Sequence, residues 1–372
     1  MRIAYITLHW PRKKASGIGR KIEEQISAWR QSGHTVQLFS HRIPVKNTSE
    51  LVEGIGFEYE EAHGIAGLLI TEINRSRAIL PLVNAVREFK PDIIYLRWSM
   101  YVFPAHRLFR IAPVVIEINT DDVSQHEMLG PLLSFYNQMT RTIFLRKAAG
   151  LVFTSKELQT CASYAPFHRP GVVIANGIDL SKNPAFTAPV NPRPRVGFIG
   201  TPDMSWQGVD KIIRLAELCP DLDFDIIGFE KPLEGTSLPA NIIFHGYLDT
   251  DKARTVLAGD DVGLGTLALH RKSMQEASSL KIREYLAYGI PVIIPYIDTD
   301  LDDLKTDTIL RIPNTEDNIE QAWQTIHDFA CKMKGRRIDR GLISSRIDTQ
   351  HKEKLRLDFF KSCIRGPRLF NE

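Results

Sequence analysis

Short runs of β-branched and aliphatic residues alternate with longer segments of helical spacing along this 372-residue chain. In the first half, the apolar runs are RIAYITL, HTVQLFS, DIIYLRW, PVVIEIN and GLVFTS. Segments with helical spacing lie between them, from Arg20 to Gln31 and from Ile65 to Phe89. Buried strands that alternate with helices are typical of a doubly wound parallel sheet.

The alternation is interrupted once and then resumes. The segment NPAFTAPVNPRPR, from Asn183 to Arg195, contains four prolines and no periodicity, which predicts a linker. The later apolar runs are RVGFIG, DFDIIG, IIFHGY, VGLGTL and PVIIPY. The sequence therefore predicts an α/β protein with two Rossmann-like, doubly wound domains, at residues 1–188 and 194–342. A helical segment at about 343–372 is expected to pack back on the first domain.

Composition excludes several classes of protein. The formal net charge of +3 is too small to indicate a nucleic-acid partner, and no basic-aromatic recognition module is present. The four cysteines are scattered without a metal-binding spacing, so we expect reduced thiols and no metal site. No apolar stretch approaches the roughly 20 residues that span a bilayer. We expect a cytoplasmic protein that works, if at a membrane, on its inner face.

Common phosphate-binding and hydrolase motifs are absent. The chain has no Gly-Lys pair for a Walker loop and no GxSxG elbow. Gly17 and Gly19 follow the first strand and open a helix, but Ile22 stands where a dinucleotide fingerprint has its third glycine. This excludes an ordinary nicotinamide dehydrogenase. These glycines would allow close approach of a phosphate or a sugar hydroxyl, but an ordinary tight turn without a ligand explains the sequence equally well.

The segment EASSLKIREYLAYGIPVI, from Glu276 to Ile293, carries the strongest local signal. Ser278 or Ser279 can cap a helix there, because a hydroxyl oxygen accepts from a free N–H of the first turn. Gly289 suits the C-terminal cap, and Pro291 prevents continuation of the helix. The helix therefore begins just after the strand VGLGTL and its loop.

The first turn of this helix has the chemistry of an anion site. Free N–H groups at Ser279, Leu280 and Lys281, with the helix dipole and the lysine charge, favour a diphosphate. Glu284, one turn further, can accept hydrogen bonds from a diol, and Glu276 lies before the helix, where a sugar beyond the phosphates would project. A surface helix with a Glu-Lys ion pair fits the same spacing, and spacing alone does not decide between the two.

The chain resembles retaining GT-B glycosyltransferases of the group 1, glycogen-synthase-like family. The Glu-x7-Glu spacing from Glu276 to Glu284, with SSLK inside it and EYLAYGIPVI around its end, resembles that family's donor-site block. Other segments follow in the family's order: GIGRKIEEQISAWRQSGHTVQLFS, YLRWSMY, VIANGID and VGFIGTPDMSWQGVDKII. The resemblance covers most of the chain.

This resemblance implies a GT-B fold with two domains facing a central cleft. A sugar-nucleotide donor would bind the C-terminal domain and a glycan or lipid-linked acceptor the N-terminal domain, with retention and without metal or cofactor. By position, the residues implied to bind the donor are Ser279, Leu280 and Lys281 at the diphosphate, Glu284 at the ribose, Glu276 at the sugar, and Gly17 and Gly19 toward the phosphates.

The acceptor side is implied by fewer residues. Asn119, in VIEINTDD, stands near where many family members place a histidine close to the reacting sugar. With Glu276 and Lys281 it completes the predicted catalytic set. Arg97, in YLRWSMY, and Asp121 are the predicted acceptor contacts. Asp121 also fits an ordinary polar loop residue.

Two departures from the family pattern affect the leaving group. Many relatives have an arginine and a lysine where this chain has Thr201 and Gln207, so these donor-site positions supply no cation here. Arg271 could compensate from the loop before the helix. Stabilisation of the leaving diphosphate would otherwise depend on Lys281 and the helix amides.

The resulting prediction is a hexosyltransferase-type enzyme that builds a cell-surface polysaccharide or a lipid-linked glycan. One alternative is a sugar-nucleotide epimerase on the same scaffold, against which the Glu-x7-Glu block argues. Another is a nucleotide-sugar-binding homologue without turnover, which Thr201 and Gln207 leave open. The partly amphipathic segment from Gly64 to Val83 could lie on a bilayer, or could pack on the first sheet as an ordinary helix. Basic residues that could attract anionic lipid cluster around the glycine turn: Arg12, Lys13, Lys14, Arg20 and Lys21.

Overall fold

The computed structural model describes residues 1–10, 17–42, 54–63, 67–202, 204–231 and 238–365, which form two compact units. Unit 1 comprises Met1–Ala175 with Lys352–Glu372, and unit 2 comprises Asn176–His351. The unit boundary precedes the predicted linker. Residues 176–188 have contacts within unit 2, where Phe186 stacks on Tyr288 at 4.2 Å between ring centroids.

Each unit contains one parallel sheet. The seven strands of unit 1 are β1 Arg2–Thr7, β2 Thr35–Arg42, β3 Gly54–Glu58, β4 Ile93–Arg97, β5 Val114–Ile118, β6 Gly150–Phe153 and β7 Gly171–Val173. Their order is β3-β2-β1-β4-β5-β6-β7. The six strands of unit 2 are β8 Arg195–Ile199, β9 Asp223–Ile227, β10 Ile242–Phe244, β11 Val262–Leu264, β12 Val292–Ile294 and β13 Ile309–Arg311. Their order is β10-β9-β8-β11-β12-β13.

Helices connect the strands in both units. They are α1 Gly17–Gln31, α2 Gly67–Phe89, α3 Asp122–Leu129, α4 Pro131–Leu145, α5 Lys156–Thr160, α6 Val209–Leu218, α7 Thr250–Gly259, α8 Leu280–Ala287, α9 Asn318–Met333, α10 Ser344–Ile347 and α11 Thr349–Arg365. The two sheets with their crossover helices confirm the predicted pair of doubly wound domains. The helix predicted from Arg20 already begins at Gly17. The one predicted from Ile65 is described from Gly67, since residues 64–66 lie outside the described ranges.

The order in which successive strands are added to the sheet reverses between β1 and β4 in unit 1 and between β8 and β11 in unit 2. Strands added on either side of such a point have their crossovers on opposite faces of the sheet. The loops at the carboxyl ends therefore diverge there and leave a crevice that suits a ligand. Each unit thus has one edge at which functional side chains are expected.

The core of unit 1 includes an aromatic cluster on one face of its sheet. Phe360 of α11 lies 5.3 Å from Trp29 and 5.2 Å from Tyr95, measured between ring centroids. Tyr5 packs against the rings of Trp29 and Tyr95. Aromatic pairs of this kind add about 0.5–1.5 kcal/mol beyond their buried area. Part of the C-terminal helix is therefore integral to the unit 1 core.

The core of unit 2 extends to the helix that follows β11. Ile282, Tyr285 and Leu286 of α8 are fully buried, and Gly289 after it has a φ of +79°, as a C-terminal cap requires. The predicted helix and its stop are thus confirmed. No helix in the described ranges of either unit is both long and apolar enough to cross a membrane.

Gly228, directly after β9, is predicted to be irreplaceable. Its φ is +96°, and a Cβ atom there would lie 2.1 Å from the carbonyl oxygen of Gly200. Gly228→Ala should lower the free energy of unfolding of unit 2 by about 2 kcal/mol or more, measured by urea unfolding. Gly259→Ala is the control, because no atom lies within 4 Å of a Cβ there. Equal stability of the two variants would contradict this expectation.

Candidate active site

The predicted donor residues of unit 2 follow strands that end at the same edge of the sheet. Thr201 comes two residues after β8, Glu276 and α8 follow β11, and Thr299 follows β12. These strands are parallel neighbours in the order β8-β11-β12, so their carboxyl ends lie at one edge of the sheet. The order of strand addition reverses there, between β8 and β11. The edge therefore brings together segments that are up to 98 residues apart in sequence.

The N-terminus of α8 has no side-chain cap. Ser279 occupies the capping position with extended backbone, φ −77° and ψ 131°, but its hydroxyl accepts no capping hydrogen bond. Ser278, the other predicted cap, instead accepts from the backbone N–H of Asn176 at 2.8 Å and from Nη2 of Arg283 at 2.9 Å. Ser279 is therefore the N-cap residue, as predicted, but the expected capping hydrogen bond from its side chain is absent. The first-turn N–H groups of α8 remain available to a ligand.

Lys281, in this first turn, is half-buried without an anionic partner. Its Nζ donates to Oε1 of Gln207 at 2.7 Å and lies 3.8 Å from the centroid of the Phe198 ring. Desolvation lowers the pKa of Lys281 well below the usual lysine range. Within the part of the chain that the structure describes, no carboxylate lies at ion-pair distance from it. A desolvated cation of this kind gains most from an anion that is not part of the chain.

Gln207 holds this lysine in place. It ends a short 3₁₀ helix, and the next residue, Gly208, has a φ of +76°. A Cβ atom at Gly208 would lie 2.9 Å from the Cβ of Leu267, so the turn is tightly packed. The amide oxygen of Gln207 thus positions the Lys281 charge, although it supplies none. Thr201, the other departure from the family pattern, is exposed.

Both glutamates of the Glu-x7-Glu block are nearly buried, each with 6% of its surface exposed. The hydroxyl of Tyr288 donates to Oε1 of Glu284 at 3.2 Å, and the hydroxyl of Thr299 donates to Oε1 of Glu276. The backbone around Glu276 also pairs with Ile297 in an isolated parallel bridge. These contacts fix the orientation of both carboxylates before any ligand binds.

A buried ion-pair cluster that the sequence analysis missed holds α8 and the loop after β12. The guanidinium of Arg283 donates to both oxygens of Asp298 at 2.8 Å and to Asp300 at 3.0 Å. Its Nε donates to the carbonyl of Asn176 at 2.7 Å. Arg283 and Asp298 are fully buried. The signal in the sequence was a charged residue on the apolar side of a helix, which requires a buried partner.

Arg271 is already paired within the chain. It forms ion pairs with Asp210 at 2.7 Å and with Glu316, and its Nη1 donates to the carbonyl of Ser205 at 2.9 Å. These contacts join the loop after β11 to α6 and to the segment before α9. The structure therefore does not support Arg271 as a compensating cation for a diphosphate.

The carboxyl edge of unit 1 carries a second buried charge cluster. Arg97, at the end of β4, donates through Nη1 to Glu117 at 3.1 Å and to Asn119 at 3.2 Å. Lys21 of α1 donates to the same two residues at 2.8 and 3.1 Å. Burial disfavours ionisation of Glu117, but Lys21, Arg97 and Arg356 outweigh it and hold the pKa of this carboxyl group well below its usual range.

Two predicted residues, Arg97 and Asn119, are therefore in contact, and Glu117 and Lys21 are additional members of their site. The signal for Glu117 was a charge within the otherwise apolar strand run PVVIEIN. Among the residues that the structure describes, Arg97 forms hydrogen bonds only through Nη1, and its side chain is 16% exposed. Its remaining donors are available to a ligand at this edge.

The other predicted residues of unit 1 have less specific surroundings. The carboxylate of Asp121 caps α3 by accepting from the N–H of Val123 at 3.1 Å and from the hydroxyl of Ser124 at 2.9 Å. A helix cap accounts for Asp121 without an acceptor. Gly17 and Gly19 lie in the first turn of α1. The turn before them, residues 11–16, lies outside the described ranges, as do Arg12, Lys13 and Lys14.

Replacing Arg283 tests whether its ion pairs organise this site. Arg283→Met would leave the Asp298 carboxylate buried without its cation, so the free energy of unfolding should fall by about 3–5 kcal/mol. Arg271→Met is the matched control, since its partners are largely exposed, and should change stability by about 1 kcal/mol or less. Urea unfolding of both variants gives the comparison. A loss for Arg283→Met as small as that of the control would refute the buried pair.

Comparisons with known proteins show what the sequence and the fold resemble. Residues 15–182 match the family described as Glycosyltransferase Family 4. No curated protein sequence matches the chain. Among solved structures, the fold is similar to that of sucrose-phosphate synthase from Thermosynechococcus elongatus, with 13% identity, a TM-score of 0.67 and coverage of 97% of this chain and 98% of that one.

Two further solved structures are similar in fold to this chain. Anabaena HepE in complex with UDP and glucose has 14% identity and a TM-score of 0.64, with coverage of 97% and 99%. The lipopolysaccharide outer core galactosyltransferase WaaB has 14% identity and a TM-score of 0.64, with coverage of 97% and 100%. The chain therefore has the GT-B fold, and residues 15–182 are similar to glycosyltransferase family 4.

Proposed function

We propose that the protein transfers a hexose from a nucleoside-diphosphate sugar to a hydroxyl acceptor with retention of configuration. The observation that carries this proposal is the half-buried Lys281 beside the uncapped N-terminus of α8. Its charge has no carboxylate partner in the described ranges, and its position is set by Gln207. Helix amides and a lysine that converge at one point form a site for a diphosphate.

The reaction follows from what this site stabilises. The acceptor oxygen forms a bond to the anomeric carbon on the same face of the sugar from which the diphosphate leaves, so configuration is retained, while the bond from that carbon to the diphosphate oxygen breaks. The electron pair of the broken bond leaves with the diphosphate, and an oxygen of that diphosphate takes the hydroxyl proton of the acceptor. Negative charge therefore grows on the diphosphate, so Lys281 and the helix amides lower the energy of the transition state more than that of the ground state.

The two glutamates would hold the donor on either side of the diphosphate. Glu284 would accept hydrogen bonds from the ribose hydroxyls, and Glu276 would contact the transferred sugar. Both carboxylates are held by hydroxyl donors from Tyr288 and Thr299, so little ordering is required on binding. Because Lys281 supplies the positive charge, the proposal requires no divalent cation. UDP-hexoses are the first donors to test, since HepE was solved with UDP and glucose.

The acceptor would bind at the carboxyl edge of unit 1. Arg97 and Asn119 are in contact there, and the unused donors of Arg97 suit oxygen atoms of a glycan or of a lipid-linked acceptor. We assign the reaction to assembly of a cell-surface polysaccharide or a lipid-linked glycan, on the cytoplasmic side of a membrane. This assignment rests on the family resemblance and on the acceptor chemistry.

Nucleotide binding should raise the melting temperature of the protein. UDP, GDP, ADP and their common sugar conjugates are compared by thermal shift, and the correct nucleotide at a large excess over its Kd should raise the melting temperature by about 5 °C or more. Glu284→Ala should lose most of that shift because the ribose contact is removed. Glu217→Ala, which replaces an exposed glutamate of α6, is the control and should keep it.

Two results would count against the proposal. If no nucleotide at millimolar concentration shifts the wild-type protein, the donor site is wrong. If a sugar nucleotide binds but no nucleoside diphosphate is released with any hydroxyl acceptor, the protein binds nucleotide sugars without transferring them.

Nucleotide affinity should fall as the pH rises toward the ordinary lysine pKa of about 10.4. Desolvation lowers the pKa of Lys281 well below that value, so the free protein loses this charge before an ordinary lysine would. A bound diphosphate favours the protonated lysine, and binding therefore takes up a proton, which calorimetry in buffers of different ionisation enthalpy measures. Lys281→Arg should remove most of the dependence, because guanidinium stays charged. An unchanged pH dependence in this variant would assign the effect to another group, such as the nucleobase.

A further inference from the structure

The first turns of helix α4 present three large apolar residues to the outside of unit 1 and polar residues to the inside, whereas Phe144 and Leu145 at the end of the helix are buried. Leu132, Phe135 and Met139 are 66%, 65% and 63% exposed, and their spacing places them on one face of the helix. The buried face of the same helix includes Asn137 and Arg141. A helix on the surface of a soluble domain normally has the opposite arrangement.

Buried ion pairing fixes this orientation. Asp122, the first residue of α3, is fully buried and accepts two hydrogen bonds from Arg141, at 2.8 and 2.7 Å. Asn137 donates to the same carboxylate at 2.6 Å. Rotation of α4 that buried Phe135 would leave the Asp122 carboxylate without these donors inside the domain, which is strongly unfavourable. The apolar face therefore stays outside unless something external covers it.

The exposed apolar face continues onto neighbouring elements. The hydroxyl of Tyr136 in α4 donates to the carbonyl of Tyr101 at 3.1 Å. Burial raises the pKa of the Tyr136 phenol, and the nearby Glu72 of α2 raises it further. We use the term lipid surface for the exposed large apolar side chains of these elements. They are Leu69, Ile70, Ile73, Phe103, Met128, Leu129, Leu132, Phe135 and Met139. Single exposed apolar side chains are common, but a group of this size marks an interaction site.

Basic side chains adjoin the lipid surface. Arg77 and Arg107 line a groove with Ile73 and Phe103. Lys147 and Arg110 lie near Arg107, because all three cations act on the same imidazole. Burial lowers the pKa of His106 most, and these three charges lower it further. None of the following exposed cations has an acidic partner within the described ranges: Arg77, Arg107, Arg110, Arg146 and Lys147.

We infer that the lipid surface binds an anionic lipid bilayer, with Leu132, Phe135 and Met139 inserted among the acyl chains and the basic residues against the headgroups. Apolar side chains bordered by unpaired cations match both parts of such a membrane. A second copy of the chain matches less well, because a symmetric dimer would place this surface against itself and the cations against each other.

The position of the surface suits the proposed acceptor. Helix α3 begins at Asp122, only three residues after Asn119. A headgroup attached to a lipid would therefore lie near the carboxyl edge that holds Asn119 and Arg97. This link rests on the proposed function, but lipid binding itself does not require transfer.

Vesicle flotation with the full chain tests the inference. Wild-type protein should bind vesicles that contain about one-third phosphatidylglycerol at least about tenfold more tightly than pure phosphatidylcholine vesicles, and added salt should weaken the binding. The triple variant Leu132→Ser, Phe135→Ser, Met139→Ser should lose about tenfold or more in partition coefficient, because it removes the inserted groups. The double variant Arg146→Gln, Lys147→Gln should lose roughly twentyfold on anionic vesicles.

The matched control is the triple variant Val190→Ser, Ile243→Ser, Leu342→Ser, which removes exposed apolar side chains of unit 2 and should bind as the wild type does. Thermal melting of every variant excludes misfolding, and all substituted positions are exposed. The inference is overturned if wild-type protein binds neither type of vesicle, or if both triple variants bind equally. It is also overturned if sedimentation velocity shows a dimer that the first triple variant abolishes, since a second copy would then cover the surface. Nucleotide binding should be unchanged in every variant, so failure of the lipid-binding inference would not count against the proposed donor site.

Discussion

All strands in both sheets run parallel to their neighbours, and this constraint determines where chemistry can be placed in the protein. A parallel strand pair needs a crossover that returns the chain to the same end of the sheet, so every carboxyl end lies at one edge. Residues that follow different strands then meet there even when they are far apart in sequence. In unit 1 these are Arg97, Glu117 and Asn119, and in unit 2 they are Lys281 and Glu276 with the loop after β12.

Each of these edges is organised around a cluster of buried and paired charges. In unit 1 the Glu117 carboxylate is surrounded by Lys21, Arg97 and Arg356, and in unit 2 the Arg283 guanidinium is held by Asp298 and Asp300. Such clusters add little net stability, since the desolvation of the ions offsets much of their attraction. Their effect is to make one arrangement of the loops much more favourable than any other. Binding groups are thereby positioned before a ligand arrives.

Helices α4 and α8 show how burial of a charge can override ordinary amphipathic packing. Arg283 enters the core of unit 2 because its carboxylate partners are there, while Arg141 turns the polar face of α4 toward Asp122. In α8 the result is a rigid first turn that carries Lys281. In α4 it is an apolar face left on the outside. Hydrophobic periodicity alone does not reveal that a charged side chain on either helix faces the core.

Much of the architecture could be read from the sequence, because alternation of apolar runs, helix stops such as Gly289 and the Glu-x7-Glu spacing are local patterns. These patterns determined the two doubly wound domains and the helix that carries Lys281, and they suggested the proposed donor site. Tertiary structure alone decided which side chains are partners. It paired Arg271 with Asp210 and Glu316, made Asp121 a helix cap, and connected Gln207 to Lys281 across 74 positions. Pairing of charges depends on distances between loops that only the folded sheet brings together, so no local pattern in the sequence encodes it.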